Sequence, residues 1–326
     1  MSAPTPQGSP SRLLLWSALA TIYVVWGSTY LAIRVMVEDI PPLLGAGVRF
    51  LIAGLIVCAW LRVKRGPGAL HLTTGQVGAC LLVGVLLLFG GNGLVTLAER
   101  DVPSGLAALI IASVPLWVVV LRAAARERIS VVTLLGVAVG FAGVAILAAP
   151  GERPDGATTL GIVLLIGAAA SWATGSFISK RLPLPRDAFL ATGVQMVLGG
   201  LAMALSGLAA GESSQVDLGA VSAGPAAAWL YLITFGSLLA FTAYTWLLKN
   251  APISKVATYA YVNPAVAVFL GWAILSEEVT TTTLVGSAVI VASVALVVRT
   301  ESAPPRAERT PERGPTPEPG VALRSS

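Results

Sequence analysis

Apolar runs of about the length that crosses a bilayer as a helix recur along the chain, each ended by charges, proline or glycine. They predict ten spans, over residues 13–36, 42–61, 76–98, 103–121, 130–149, 158–180, 188–210, 226–248, 254–275 and 280–298. The connections at Pro103 and Pro252 are very short. The first run follows a Pro/Ser-rich start and Arg12, an order that imitates a secretory leader. It continues well past the apolar core of such a leader, with Trp26 and Tyr30 where small residues would be wanted for cleavage. We read it as an uncleaved span.

The polar connections orient these spans. Those after even-numbered spans hold ten basic residues: Arg62, Lys64, Arg65, Arg122, Arg126, Arg128, Lys180, Arg181, Arg186 and Lys249. Those after odd-numbered spans hold two, Arg100 and Arg153, beside Glu38, Asp39, Glu99, Asp101, Glu152, Asp155, Glu212, Asp217, Glu277 and Glu278. Lys and Arg favour the cytoplasmic side, so both termini are expected there and the span count must be even.

The second five spans repeat the first. At an offset of 146, Trp26-Gly27-Ser28 falls on Trp172-Ala173-Thr174, Gly47 on Gly193 and Gly54 on Gly200. At 149, Thr96 falls on Thr245, Pro103 on Pro252 and Pro115 on Pro264; at 150, Glu127 falls on Glu277 and Gly136 on Gly286. Small drifts at loops are what a diverged duplication leaves. Five spans per half is an odd number, so the halves enter the membrane in opposite senses. Inverted repeats of this kind build secondary transporters, which bind substrate near the midplane between the halves. The expected fold class is therefore an all-α integral membrane protein of ten helices in two inverted five-helix repeats. Its parts are a disordered cytoplasmic N-terminus over 1–12, repeats over 13–150 and 151–299, and a disordered cytoplasmic tail over 300–326.

Composition agrees. The chain is 56% hydrophobic and 11% charged, against about a quarter charged in soluble domains, so the lipid bilayer is its solvent. The net charge of +5 comes from bases scattered among short loops, which gives no nucleic-acid face. Cys58 and Cys80 lie in apolar runs and the sole histidine, His71, in a polar connection. Neither a disulfide framework nor a metal site nor a cofactor is expected.

Particular stretches then carry a resemblance. Trp26 to Arg34, Pro41-Pro42 followed by Arg49-Phe50, Gly90 to Thr96, Val102 to Gly105, Asn263-Pro264 and Ser276-Glu277-Glu278 resemble the EamA family of the drug/metabolite transporter superfamily, in its YedA-like exporter group. The resemblance covers residues 13–298. It implies ten helices, cytoplasmic termini and export of amino acids or similar small metabolites.

Polar side chains inside spans are costly and tend to face a cavity or a partner helix. Helical spacing groups Trp26 and Tyr30 with Ser28 and Thr29 beside them, Trp172 and Ser176 near Thr174, and Asn92 with Thr96. It also groups Ser237, Phe241 and Tyr244, and pairs Tyr259 with Asn263, while Gln195 takes the place of Arg49. The candidate substrate site is Trp26, Ser28, Tyr30, Arg49, Asn92, Thr96, Trp172, Thr174, Gln195, Tyr244, Tyr259 and Asn263. Aromatic faces with a few donors suit a small amphipathic metabolite. Against this stands the plainer reading that Ser and Thr bond their own helix and that Trp and Tyr form interfacial belts. Arg49 either meets a substrate carboxylate or pairs with an outer-loop glutamate or helix carbonyls; Arg34 is expected to pair with Glu38.

No acidic residue falls at mid-depth of a span, which argues against a carboxylate-carried proton cycle and leaves Tyr, substrate and end carboxylates open. Gly90-Gly91-Asn92-Gly93 is expected to loosen its helix, and Pro115 and Pro264 to kink theirs. Gly47, Gly54, Gly136, Gly140 and Gly143 are expected at close helix crossings. An enzyme is disfavoured by the lack of any nucleophile, metal or acid-pair arrangement, and a Walker motif is missing. The main expectation is a secondary exporter of small molecules; the alternative is a non-transporting receptor or assembly subunit.

Overall fold

The computed structural model describes residues 11–149, 157–217, 219–251, 253–256 and 258–302. The expected disorder of residues 1–12 and 300–326 therefore lies largely outside the described residues, as do Pro252 and the charges Glu152, Arg153 and Asp155. Ten apolar helices cross the described fold: α1 (Arg12–Met36), α2 (Pro42–Arg65), α3 (Thr74–Ala98), α4 (Ser104–Ala124), α5 (Val131–Ala148), α6 (Thr159–Ser179), α7 (Ala188–Ala209), α8 (Ala223–Leu248), α9 (Tyr259–Leu275) and α10 (Thr281–Thr300). Nine are long and apolar enough to span a membrane, and α9 is shorter. The expected span from 254 is broken because Ile253–Val256 forms a separate turn, closed by the Thr258 hydroxyl donating to the Lys255 carbonyl (2.6 Å).

Helix starts are fixed by the residues that the sequence puts there. Pro42 opens α2, where its missing N–H costs nothing. The freed amides of Leu43 and Leu44 donate to the Glu212 carboxylate at 3.2 and 2.8 Å. Likewise the Ser104 and Gly105 amides opening α4 donate to Glu277 at 2.7 and 3.0 Å. Both carboxylates sit against positive helix ends, and both come from the other half of the chain. Asp187 caps α7 itself through the Phe189 and Leu190 amides and also pairs with Arg65, which hold its carboxyl below the usual range against the opposing effect of burial.

The packing follows a pseudo-two-fold axis. Helices α2 and α7, α4 and α9, and α5 and α10 pair across it, while α1 packs on α8 and α9 as α6 packs on α3 and α4. Small residues set the closest approaches. A Cβ added at Gly47 would lie 2.8 Å from the Gly200 carbonyl, and one at Gly54 would lie 2.7 Å from that of Gly193. These are the same contact seen from the two halves. Gly136 meets Val297 and Gly286 meets Leu147 in the same reciprocal way, between α5 and α10. Gly140 fits against Leu116 and Ser293, and Gly143 against Ile290.

Two helices are wound wide at matching places. Val85–Gly93 in α3 and Leu232–Leu239 in α8 run as π-helix, with i→i+5 bonding. The Gly-rich run in α3 thus does loosen its helix, although it stays helical. In α4 the chain turns at Ala112 and Ser113 just before Pro115, splitting the helix into Ser104–Ile111 and Val114–Ala124. Pro264 lies inside α9. Each proline removes the N–H that would have reached the carbonyl four residues back, at Ile111 and Ala260.

Candidate functional site

Where α1, α2, α3, α4, α6, α8 and α9 converge they border a cavity of about 970 Å³, a figure that includes space open to solvent. Ile111 and Ala260, whose carbonyls the two prolines release, both line it, as do Gly91, Asn92 and Gly236 of the π-wound stretches. Irregular backbone at membrane depth is tolerated where it borders a cavity.

The repeat places a tryptophan at each side. Trp26 packs against Phe241, Tyr244 and Tyr259 with ring centroids 5.4, 5.1 and 5.3 Å away, and its indole N–H donates to the Gly236 carbonyl at 3.3 Å. Trp172 lies across Gly91, where a Cβ would come within 2.6 Å of its ring. The wall around Trp26 is aromatic, and Val95, Ala108, Ile111, Ala112 and Val114 supply an aliphatic part of the lining. Asn263, with its NH2 turned to donate, reaches the Tyr259 and Tyr23 carbonyls at 3.2 and 3.3 Å.

Arg49 is the charged residue on the wall. It is 3% exposed, its guanidinium lies 4.6 Å from the centre of the Phe50 ring, and its Nε donates to Ser237 Oγ at 2.9 Å. Among the described residues its two terminal nitrogens have no hydrogen-bond acceptor, and no outer-loop glutamate pairs with it. Gly236 lies close beside it: a Cβ there would stand 3.2 Å from Arg49 Nη2.

Seven candidates thus line the cavity: Trp26, Tyr30, Arg49, Asn92, Trp172, Tyr259 and Asn263. Five do not. Ser28 donates to Val25 and shares a 2.6 Å bond with Tyr231, while Thr96 and Thr174 bond the carbonyls of Asn92 and Ala170. Their hydroxyls are used by the bundle itself. Tyr244 stands behind Trp26 and Tyr259, and Gln195 lies on α7, which does not reach the cavity. Arg34 does not pair with Glu38, which is exposed; it donates to the Glu99 carbonyl (2.7 Å) and that of Arg100, just past the end of α3.

Glu99 itself was read as an end-of-span charge, yet it is 0% exposed and neither carboxylate oxygen has a partner. Ala98 and Val102 beside it pack into the core with Ile33, Met36 and Leu106. Burial first, and the charge of Glu277 second, hold its carboxyl well above the usual range, opposed by Arg34 and Arg49. No group of metal-ligating side chains occurs among the described residues.

Ten apolar helices in two inverted halves around a partly polar cavity define a multi-pass membrane transporter of the drug/metabolite type. The chain belongs to the EamA-like transporter family, whose model matches residues 13–149 and again 159–299. The inner membrane transporter YedA of Escherichia coli (strain K12), itself uncharacterized, is 39% identical over 289 residues, covering 87% of this chain and 90% of its own. Transporter YvbV of Bacillus subtilis (strain 168) is 28% identical over 86% of this chain and 90% of its own. A WAT1-related chloroplastic protein of Arabidopsis thaliana is 27% identical over 89% of this chain and 70% of its own. A solved crystal structure aligns with 90% of this chain and 98% of its own at a TM-score of 0.59 and 19% identity, a likeness of fold.

Proposed function

We propose that this transporter is a secondary exporter of small amphipathic metabolites, amino acids or related compounds and by extension amphipathic drugs, across the cytoplasmic membrane. The observation that carries the reading is Arg49, a buried guanidinium whose terminal nitrogens are unspent on the wall of a cavity between two tryptophans. A cation without an acceptor is costly in a low dielectric, and a carboxylate is the group its fork fits. The aromatic and aliphatic walls take the apolar body of the same molecule. Alternating access of the two halves moves it, and the basic connections support cytoplasmic termini with the acidic connections outside.

Efflux of labelled amino acids and cationic drugs from preloaded cells tests this. Trp26→Ala and Trp172→Ala each cut efflux by about tenfold or more, the scale of losing a buried aromatic contact, with membrane insertion unchanged. Normal efflux in both variants sinks the assignment. Absence of efflux of any compound from wild-type cells returns the protein to the non-transporting alternative.

A further inference from the structure

Glu99 is the carboxylate that the described structure buries completely and leaves without a hydrogen bond. Its position is not incidental. Asn92 and Val95 line the cavity, and Glu99 follows at a spacing of four, so it prolongs the cavity-facing stripe of α3 past the end of the helix. On α1, Tyr30 and Ile33 also line the cavity, and Arg34 grips the Glu99 carbonyl. The charged and titratable groups that face Glu99 are Tyr30 and Arg34 from α1, Arg49 from α2 and Glu277 from the α9–α10 connection. Ser104 of α4, whose amide holds Glu277, has a hydroxyl that is also buried without a partner.

An ionised carboxylate here would lose its water and gain no hydrogen bond, so the neutral acid is the form the site favours. Arg49 pulls the other way, and Arg49 is on the cavity wall. Whatever changes the charge beside Arg49 therefore changes how firmly Glu99 holds its proton. We propose that Glu99 is the proton-exchange site of this protein, linked to the cavity through Arg49. One proton from the medium binds a Glu99 carboxylate oxygen as an O–H and returns to the medium when the surrounding charge changes. That the exchange serves transport rests on the reading above; that the site binds a proton does not.

Infrared difference spectra of the purified protein in nanodiscs, taken through a pH titration with no substrate present, read the C=O stretch of a protonated carboxyl. Wild type should show such a band at neutral pH, lost only on alkalinisation, and Glu99→Gln should lack it. Arg49→Gln should move the loss to higher pH, since a cation favouring the ionised form is gone. Glu277→Gln should move it to lower pH, since a repelling carboxylate is gone. A wild type without the band, or a band that persists in Glu99→Gln, overturns the proposal, and a titration unmoved by Arg49→Gln overturns the link to the cavity. If Glu99→Gln does not fold, Glu99→Asp must shift the band's frequency; an unshifted band again refutes it.

Discussion

Arg49 concentrates the residue-scale problem. Its repeat partner is Gln195, so the duplication kept a polar side chain in both halves and a charge in one. The charge faces the cavity through α2, whereas Gln195 faces the α3–α7 crossing, where Gly84 and Gly199 already bring the backbones together. If Arg49 receives a carboxylate, Arg49→Lys keeps the charge but loses the fork and the Nε bond to Ser237. The apparent KM for a carboxylate-bearing substrate should rise by about tenfold with protein abundance unchanged, the scale of one charge-assisted bond. Unchanged KM with lowered thermal stability would make the residue structural. Sequence left both roles open because the deciding partner, Ser237, is 188 positions away. Ser28, Thr96 and Thr174 misled for a related reason: a hydroxyl that bonds its own helix has the same spacing as one that faces a cavity. The aliphatic wall from Val95 to Val114 carried no signal, since in a membrane an apolar residue faces lipid, a neighbour or a cavity alike.

Elements were more legible than side chains. Apolar runs gave nearly every helix to within a few residues, because length and charge at the ends are all that a span requires. Glycines marked the crossings, and here the physics is sharp enough to test. A Cβ at Gly47 would sit 2.6 Å from the Ala204 amide nitrogen, a backbone atom that cannot turn aside, whereas Gly78 has nothing within 4 Å. Gly47→Leu should therefore cost about 2 kcal/mol or more and separate α2 from α7. Gly78→Leu should be neutral or stabilising, given the poor helix propensity of glycine. Thermal unfolding of the two variants in detergent checks this, and equal stability would discard the close-crossing account. The π-wound stretches show the limit of sequence reading. Gly90-Gly91-Asn92-Gly93 announces a loosened α3, but its counterpart Leu232–Leu239 contains one glycine, Gly236, and looks like any buried helix. In each widened stretch a side chain from another helix takes a backbone carbonyl, Trp26 that of Gly236 and Ser171 that of Leu86, and neither contact is visible in local spacing.

At the scale of the whole molecule the two halves match in backbone and differ in charge. Both have the tryptophan, the wide turn, the proline and the glycine crossings; offsets between the tryptophans, prolines and glycines reveal the duplication, and five spans per half reveal its inversion. What the halves do not share is Arg49 and Glu99, and both belong to the first. Counting charges by span placed Glu99 outside the membrane helices and so argued against a carboxylate-carried proton; the bundle draws it in through Arg34, a contact between α1 and α3 that no spacing within one helix reveals. If the proton on Glu99 exchanges with cargo, a pH gradient must drive flux. An exporter working toward an acid exterior needs cargo and proton to compete; a carboxylate on Arg49 alone would tighten the hold of Glu99 on its proton, so the competition must come from the ammonium of the same cargo, whose charge favours the ionised acid. In proteoliposomes under an imposed gradient, labelled amino acids should accumulate on the acid side several-fold over the ungraded control. Glu99→Gln should retain exchange at equal pH while losing the accumulation, because its side chain cannot ionise. Accumulation on the alkaline side would mean that cargo and proton travel together, which contradicts export. Wild-type exchange that ignores the gradient would leave Glu99 a titrating group without a part in transport.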